Sequence, residues 1–200
     1  MALVVLLLVA AILVGFVCHA RRHFSRLVPT HRVDEQHGRL QIRRYASLPL
    51  AEVRVSGNSS LALKTGTQIL NRYFREEQIA RFALPLLAEK VDAADSIWTM
   101  AVVLPMPIAD APSPRNKAIQ LRQQPPQRVI AQRYHGSVSA DERLAEQKAQ
   151  MLPLVNDVCR RIGCTKLSTV VAMHRYPWWF PSLFRVTDLM VRISDEGSLA

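Results

Sequence analysis

The sequence predicts an α+β domain, a pseudo-two-fold antiparallel β-barrel of about eight strands with two helices packed outside. Three observations lead to it. First, Leu40 to Gly57, LQIRRYASLPLAEVRVSG, is echoed without a gap by Ile119 to Gly136, IQLRQQPPQRVIAQRYHG. Leu40-Gln41-Ile42-Arg43 meets Ile119-Gln120-Leu121-Arg122, and Arg54-Val55-Ser56-Gly57 meets Arg133-Tyr134-His135-Gly136. Second, each copy reads as an alternating strand, a Pro-containing break, a second alternating strand and a Gly, followed by helical period and a further strand. Third, two copies are too few for a solenoid, which needs about three, and each half alone is too small for a secure core. Closure into one pseudo-symmetric unit satisfies all three.

In chain order, Ala2 to Cys18 is an uninterrupted apolar run without a charge or a Pro, at the lower limit for a bilayer-spanning helix. An anchor and a signal sequence are the two readings of residues 1–24. Only the α-amino group precedes the run, and Gly15-Phe16-Val17 lacks the small residue expected just before a lipoprotein cysteine, which favours an uncleaved single-pass anchor. Arg21, Arg22, His23 and Arg26 follow it, and the positive-inside rule then leans toward a cytoplasmic rather than a periplasmic or extracytoplasmic domain. Residues 25–37 read as a polar linker and 38–200 as the folded domain.

Leu40, Ile42, Leu50, Val53 and Val55 give two short strands around Ser47-Leu48-Pro49. Gly57-Asn58-Ser59-Ser60 offers turn and N-cap chemistry. A helix is expected from about Ser60 to Arg75, its apolar face made of Leu63, Ile69, Leu70, Tyr73 and Phe74. Ile79 to Leu87 is ambiguous, Ile97 to Leu104 is a dense buried strand, and Ala109 to Pro114 joins the two units. In the second unit Ser139-Ala140-Asp141-Glu142 is a capping box for a helix ending at Gly163, which Pro153 is expected to kink or break. Thr169 to Met173 and Val186 to Ile193 are strands on either side of an aromatic, Pro-bearing loop, 174–181, and the tail from Ser194 is expected to fray.

The formal charge is +10, from 26 Lys and Arg against 16 Asp and Glu. It favours an anionic partner without choosing between lipid, nucleic acid and a carboxylate-bearing ligand. Cys18, Cys159 and Cys164 make no disulfide framework and no zinc spacing. Paired catalytic carboxylates, a nucleophile elbow and a phosphate-cradling Gly loop are all missing, and only seven glycines are present. These absences point away from an enzyme.

Five motifs in order carry a family resemblance over roughly Gly38 to Ile193. They are Leu40-Gln41-Ile42-Arg43-Arg44-Tyr45, Leu70-Asn71-Arg72-Tyr73-Phe74, Ile79-Ala80 through Leu84-Pro85-Leu86, Trp98 to Pro105, and Tyr176-Pro177-Trp178 through Pro181. The chain resembles the SOUL heme-binding family. The resemblance implies a non-enzymatic heme or tetrapyrrole carrier, here membrane-anchored, with no nucleic-acid partner. The other reading is a ligand-sensing or protein-interaction module of the same fold that takes another amphipathic anion or a partner protein. Arg81-Phe82 and Thr187-Asp188-Leu189 depart from the family pattern, and Arg44 stands where one family member has an axial His.

The resemblance further implies a site on the outer face of the first helix, with Lys64 and Arg72 at the propionates and Thr67, Gln68 and Asn71 between them. A flat apolar macrocycle with two carboxylates wants an apolar floor and cations at its edge. Heme would be non-covalent, since no Cys-x-x-Cys-His motif exists, and held without an axial protein ligand. Were iron ligated, His174 and His135 are the candidates, imidazole being the common haem ligand. Trp178, Trp179 and Phe180 either plug one end of the barrel or touch the bilayer surface near the anchor.

Overall fold

A computed structural model describes residues 28–79, 86–92, 96–136, 141–167, 170–175 and 185–195, together with residues 4, 5, 14–16, 18, 19 and 22 of the N-terminal run. Those few N-terminal residues are all helical. The remainder of the expected anchor, the Arg81-Phe82 segment, the Ser139-Ala140 half of the capping box, the aromatic loop from Tyr176 and the tail beyond Asp195 lie outside the described residues. Among the described residues no helix is long and apolar enough to cross a membrane.

The elements are β1 (His31–His37), β2 (Leu40–Tyr45), β3 (Leu48–Ser56), α1 (Ser59–Glu76), β4 (Leu86–Asp92), β5 (Ile97–Val103), a 3-10 turn (Ile108–Asp110), β6 (Ile119–Gln124), β7 (Gln127–His135), α2 (Asp141–Ile162), β8 (Cys164–Lys166), β9 (Val171–His174) and β10 (Val186–Asp195). The strands form one antiparallel ten-stranded sheet in the order β1-β2-β7-β10-β9-β4-β5-β3-β6, with β8 added on β10.

The internal repeat is visible in this order. β6 and β7 lie at a constant offset of seventy-nine residues from β2 and β3. Exchanging β2 with β6, β3 with β7, β4 with β9 and β5 with β10 reproduces the sheet read backwards, with the β4–β9 pair on the pseudo-axis. The first strand of each unit pairs with the second strand of the other, β2 with β7 and β6 with β3. Gly57 and Gly136 end β3 and β7 at φ +126° and +96°, values that favour glycine. Each sends its amide to the chain entering its own unit's last strand, Gly57 to the Ser96 carbonyl at 3.1 Å and Gly136 to the Arg185 carbonyl at 2.9 Å.

The expected antiparallel α+β architecture with two helices is present, its sheet a strongly curled half-barrel of ten strands among the described residues, since β1 and β6 are its ends and do not pair with each other. One expectation about the domain's start is corrected. The segment expected to be a linker contains β1, which turns through Gly38 (φ +60°) back onto β2. Its sequence, HRVDEQH, has no apolar alternation because both its faces are largely open to water, so periodicity could not reveal it. In addition, α2 runs unbroken through Pro153. Pro153 and Ala149, whose carbonyl loses its amide partner, are both on the exposed side of the helix, where water can satisfy that carbonyl.

α1 starts at Asn58, whose side chain accepts the Leu61 amide at 2.8 Å. It buries Ala62, Gly66, Leu70, Tyr73 and Phe74, with Leu63 and Ile69 flanking the contact. A Cβ on Gly66 would lie 2.5 Å from Cγ of Met100, so this glycine lets the helix rest directly on β5. α2 contributes Leu144, Met151, Val155, Val158 and Cys159 to the same layer. The opposite, concave face of the sheet is filled by Tyr45, Leu48, Leu50, Leu87, Ala101, Val129, Ala131, Met173 and Met190. Each fully buried Leu or Val side chain contributes about 1.5–3 kcal/mol to this two-layer core.

Candidate functional site

α1 lies on β3 and β5, which leaves its outer face to solvent. Lys64, Gln68, Asn71 and Arg72 are exposed there and Thr67 is half-buried. Eight residues of helix separate Lys64 from Arg72 by about 12 Å along the axis. The two cations differ in state. Arg72 Nε donates to Glu76 Oε1 at 2.6 Å, an i,i+4 pair whose hydrogen bond raises the arginine and lowers the carboxyl from their ordinary pKa values. Lys64 makes no ion pair among the described residues. Thr67 turns its hydroxyl onto its own helix, donating to the Leu63 carbonyl at 2.6 Å.

Two features of this face escaped the sequence reading. Leu61, 53% exposed, stands one turn before Lys64 and supplies apolar surface at that end. At the other end a cleft of about 350 Å³ opens between α1 and the chain entering β6, lined by Ile69, Arg72, Tyr73, Glu76, Arg115 and Ile119. Arg115 is held there by Glu77 at 3.3 Å, and the Tyr73 hydroxyl donates to the Pro112 carbonyl at 2.8 Å. On the concave face, by contrast, the cavity between Leu50, Leu87, Val129 and Met190 holds about 40 Å³. Two ion pairs, Arg122–Glu52 at 2.9 Å and Arg192–Glu89 at 2.8 Å, stand beside that space.

His135 and His174 do not come together. They lie on β7 and β9, on either side of β10, opposite Val186 and Thr187 respectively. Successive residues of a strand face opposite ways, so the two imidazoles are on opposite faces of the sheet and cannot ligate one ion jointly. His135 is exposed. His174 is half-buried on the helix-facing side, with Nδ1 3.3 Å from the Thr187 hydroxyl. Burial, and secondarily the Arg185 charge, bring its pKa down to about 4, so it is neutral at physiological pH. No group of three or more His, Cys, Asp or Glu able to hold a metal occurs among the described residues.

The sequence reading also passed over an arginine cluster on the concave face. Asp188, fully buried in β10, receives Arg43 Nη1 at 2.7 Å, Arg175 Nε at 3.0 Å and Arg133 Nε at 3.1 Å. Burial alone would raise its pKa, but the Arg175 and Arg43 charges and hydrogen bonds outweigh burial and hold the carboxyl below its usual range. The signal was available. Val186, Asp188, Met190 and Arg192 share one face of a strand, and an acid in the middle of such a face must find partners.

A likeness to solved structures supports the fold. The chain superposes on the EcmrR C-terminal domain with a TM-score of 0.56 at 8% identity, covering 78% of this chain and 97% of that one. A hydrolase from Listeria innocua gives a TM-score of 0.55 at 9% identity, covering 80% and 94%. No curated protein matches the sequence. At the level of families, the profile described as SOUL heme-binding protein matches residues 28–192, from just before β1 into β10. The antiparallel α+β fold and the order of the five motifs both agree with that match, and the chain belongs to the SOUL heme-binding family.

Proposed function

We propose that the chain is a non-enzymatic, membrane-attached protein that holds heme or a related tetrapyrrole non-covalently on the outer face of α1. The observation that carries this reading is a cation without an acid partner, Lys64, next to exposed Leu61, with Arg72 and a cleft of about 350 Å³ at the far end of the same helix. Bound there, heme would supply an apolar plane and two carboxylates. Lys64 offers one carboxylate a free ammonium. Arg72 offers the other a guanidinium once it turns from Glu76, a small cost because solvent screens an exposed ion pair. Thr67, Gln68 and Asn71 lie between. The cavity between Leu50, Leu87, Val129 and Met190 on the concave face, at about 40 Å³, is too small for a macrocycle.

His135 and His174 lie in the other half of the sheet from α1, which favours binding without an axial protein ligand. Attachment rests on the Ala2–Cys18 run, and the basic flank favours a cytoplasmic domain. The test is a hemin titration of the full chain in non-ionic detergent, with empty micelles as blank, following the Soret band. A saturable one-to-one shift that disappears in Lys64→Glu/Arg72→Glu supports the site. A rise that never saturates, or one indifferent to the double variant, overturns it. The second reading, a module for another amphipathic anion, draws on the Arg72–Glu76 pair, which already occupies one of the two cations.

A further inference from the structure

The arginine cluster around Asp188 carries more positive charge than its one carboxylate needs. Three guanidiniums, from β2, β7 and the residue after β9, meet one acid. Among the described residues no other carboxylate pairs with any of the three. Asp188 Oδ2 receives Arg43 and Arg175, Oδ1 receives Arg133, and the Gln41 side-chain oxygen takes Arg43 Nε and Nη2 at 3.0 and 2.7 Å. Arg43 is thereby fully engaged and sealed, at 1% exposure. Arg175 and Arg133 are progressively more open, at 12% and 43%. Beyond Asp188, the guanidinium of Arg133 makes no hydrogen bond among the described residues. Two positive charges are left over among the described residues, and that of Arg175, at 12% exposure, is where charge is costly unless compensated.

The fold itself does not require this excess. At the pseudo-equivalent end of the sheet, Arg122 and Arg54 occupy the places of Arg43 and Arg133, and Thr99 stands opposite Arg54 where Asp188 stands opposite Arg133. There Arg122 pairs with the single carboxylate of Glu52.

We propose that the Asp188 cluster is a binding site for a small oxyanion, phosphate-like or carboxylate, taken by the outward donors of Arg133 and Arg175 while Asp188 fixes their orientation. Guanidinium forks match the geometry of such anions and bind them by charge-assisted pairs. His31 lies beside the cluster with its pKa lowered, by burial first and then by Arg43 and Arg175, and an imidazole in either state brings no negative charge to offset the guanidiniums. Size is limited as well. Among the described residues, Ala131, Met173 and Met190 fill the neighbouring concave face at 0%, 1% and 3% exposure, which favours a small anion over one with an apolar tail.

This site is separate from the α1 face and stands whether or not heme binds there. The experiment is calorimetric titration of the full chain in non-ionic detergent at constant ionic strength, with sodium phosphate and sodium succinate as probes against a chloride blank. Saturable one-to-one binding of either probe is expected, the preferred probe identifying the ligand class. Arg133→Gln, at a half-exposed position that leaves Arg43 and Arg175 on Asp188, should weaken it about tenfold, the worth of one charge-assisted hydrogen bond. Arg133→Lys should recover part of the loss, and Lys64→Glu/Arg72→Glu should change nothing. Absence of saturable heat with both probes, or equal affinity in wild type and Arg133→Gln, overturns the proposal.

Discussion

Arg43 and Arg122 are the same residue of the repeat, on β2 and β6, and they live in opposite environments. Arg43 is 1% exposed and bound to a carboxylate that is 0% exposed, whereas Arg122 is 45% exposed and pairs with Glu52, which is 13% exposed. Their own strands do not make the difference. Their neighbours do, since β1 covers the outer edge of β2 while β6 is itself an edge, and β10 brings an acid to one end where β5 brings Thr99 to the other. A near-symmetric backbone thus supports one buried ionic cluster and one ordinary surface pair. Electrostatics in this fold is set locally, one cross-strand residue at a time, and is not inherited from the duplication.

The sharpest way to break this comparison is to truncate both arginines. Arg43→Ala removes one buried charge-assisted hydrogen bond from Asp188, which keeps Arg175 and Arg133, and should cost about 1.5–3 kcal/mol, whereas Arg122→Ala should cost less than about 1 kcal/mol, both read from urea unfolding midpoints. Equal losses would mean that the two ends are energetically alike. A smaller effect concerns the β4–β9 pair at the pseudo-axis, where His174 is the register partner of Leu86.

The folded-state pKa of His174, about 4, lies below its unfolded value of 6.5. The stability tied to the neutral ring is therefore present above pH 6.5 and is lost as pH falls toward 4. With the ring keeping some solvent contact, the loss between pH 7 and 4 should be about 2 kcal/mol, and a His174→Leu variant should not show that component. Smallest is Gly66→Ala. Alanine favours the helix by about 1 kcal/mol, but its Cβ would press on Met100, so a net loss of about 1 kcal/mol is expected. A gain in stability would show that α1 can lift from β5 without cost.

Much of the fold was legible because the duplication leaves a gapless echo and because apolar alternation marks each repeated strand. β1 and β8 were not. β1 is polar on both faces and is a strand only because Gly38 folds it onto β2, and β8 is three residues long with a single buried side chain. Pro153 misled in the other direction, since a helix broken in isolation is held continuous by Met151 and Val155 packing on the sheet. At the candidate site, Lys64 and Arg72 could be placed by helical geometry. The Glu76 pairing of Arg72, the exposure of Leu61 and the cleft beside Arg115 depend on tertiary contacts that residue types alone do not encode. Asp188 was noticed as a departure from the family pattern, yet its three partners come from positions 43, 133 and 175, too far apart in sequence for any local pattern to join them.

The exchange of strands between the two units also governs how the chain can assemble. β2 meets β7 and β3 meets β6, so neither repeat contains its own sheet. During synthesis the first half can form the β1–β2 hairpin and the β4-β5-β3 ladder under α1, but nothing joins these two pieces until β7, β9 and β10 have emerged. Such high contact order slows folding, and until β6 and β7 have been made β3 and β2 present unpaired edges of the kind that chaperones must shield from aggregation.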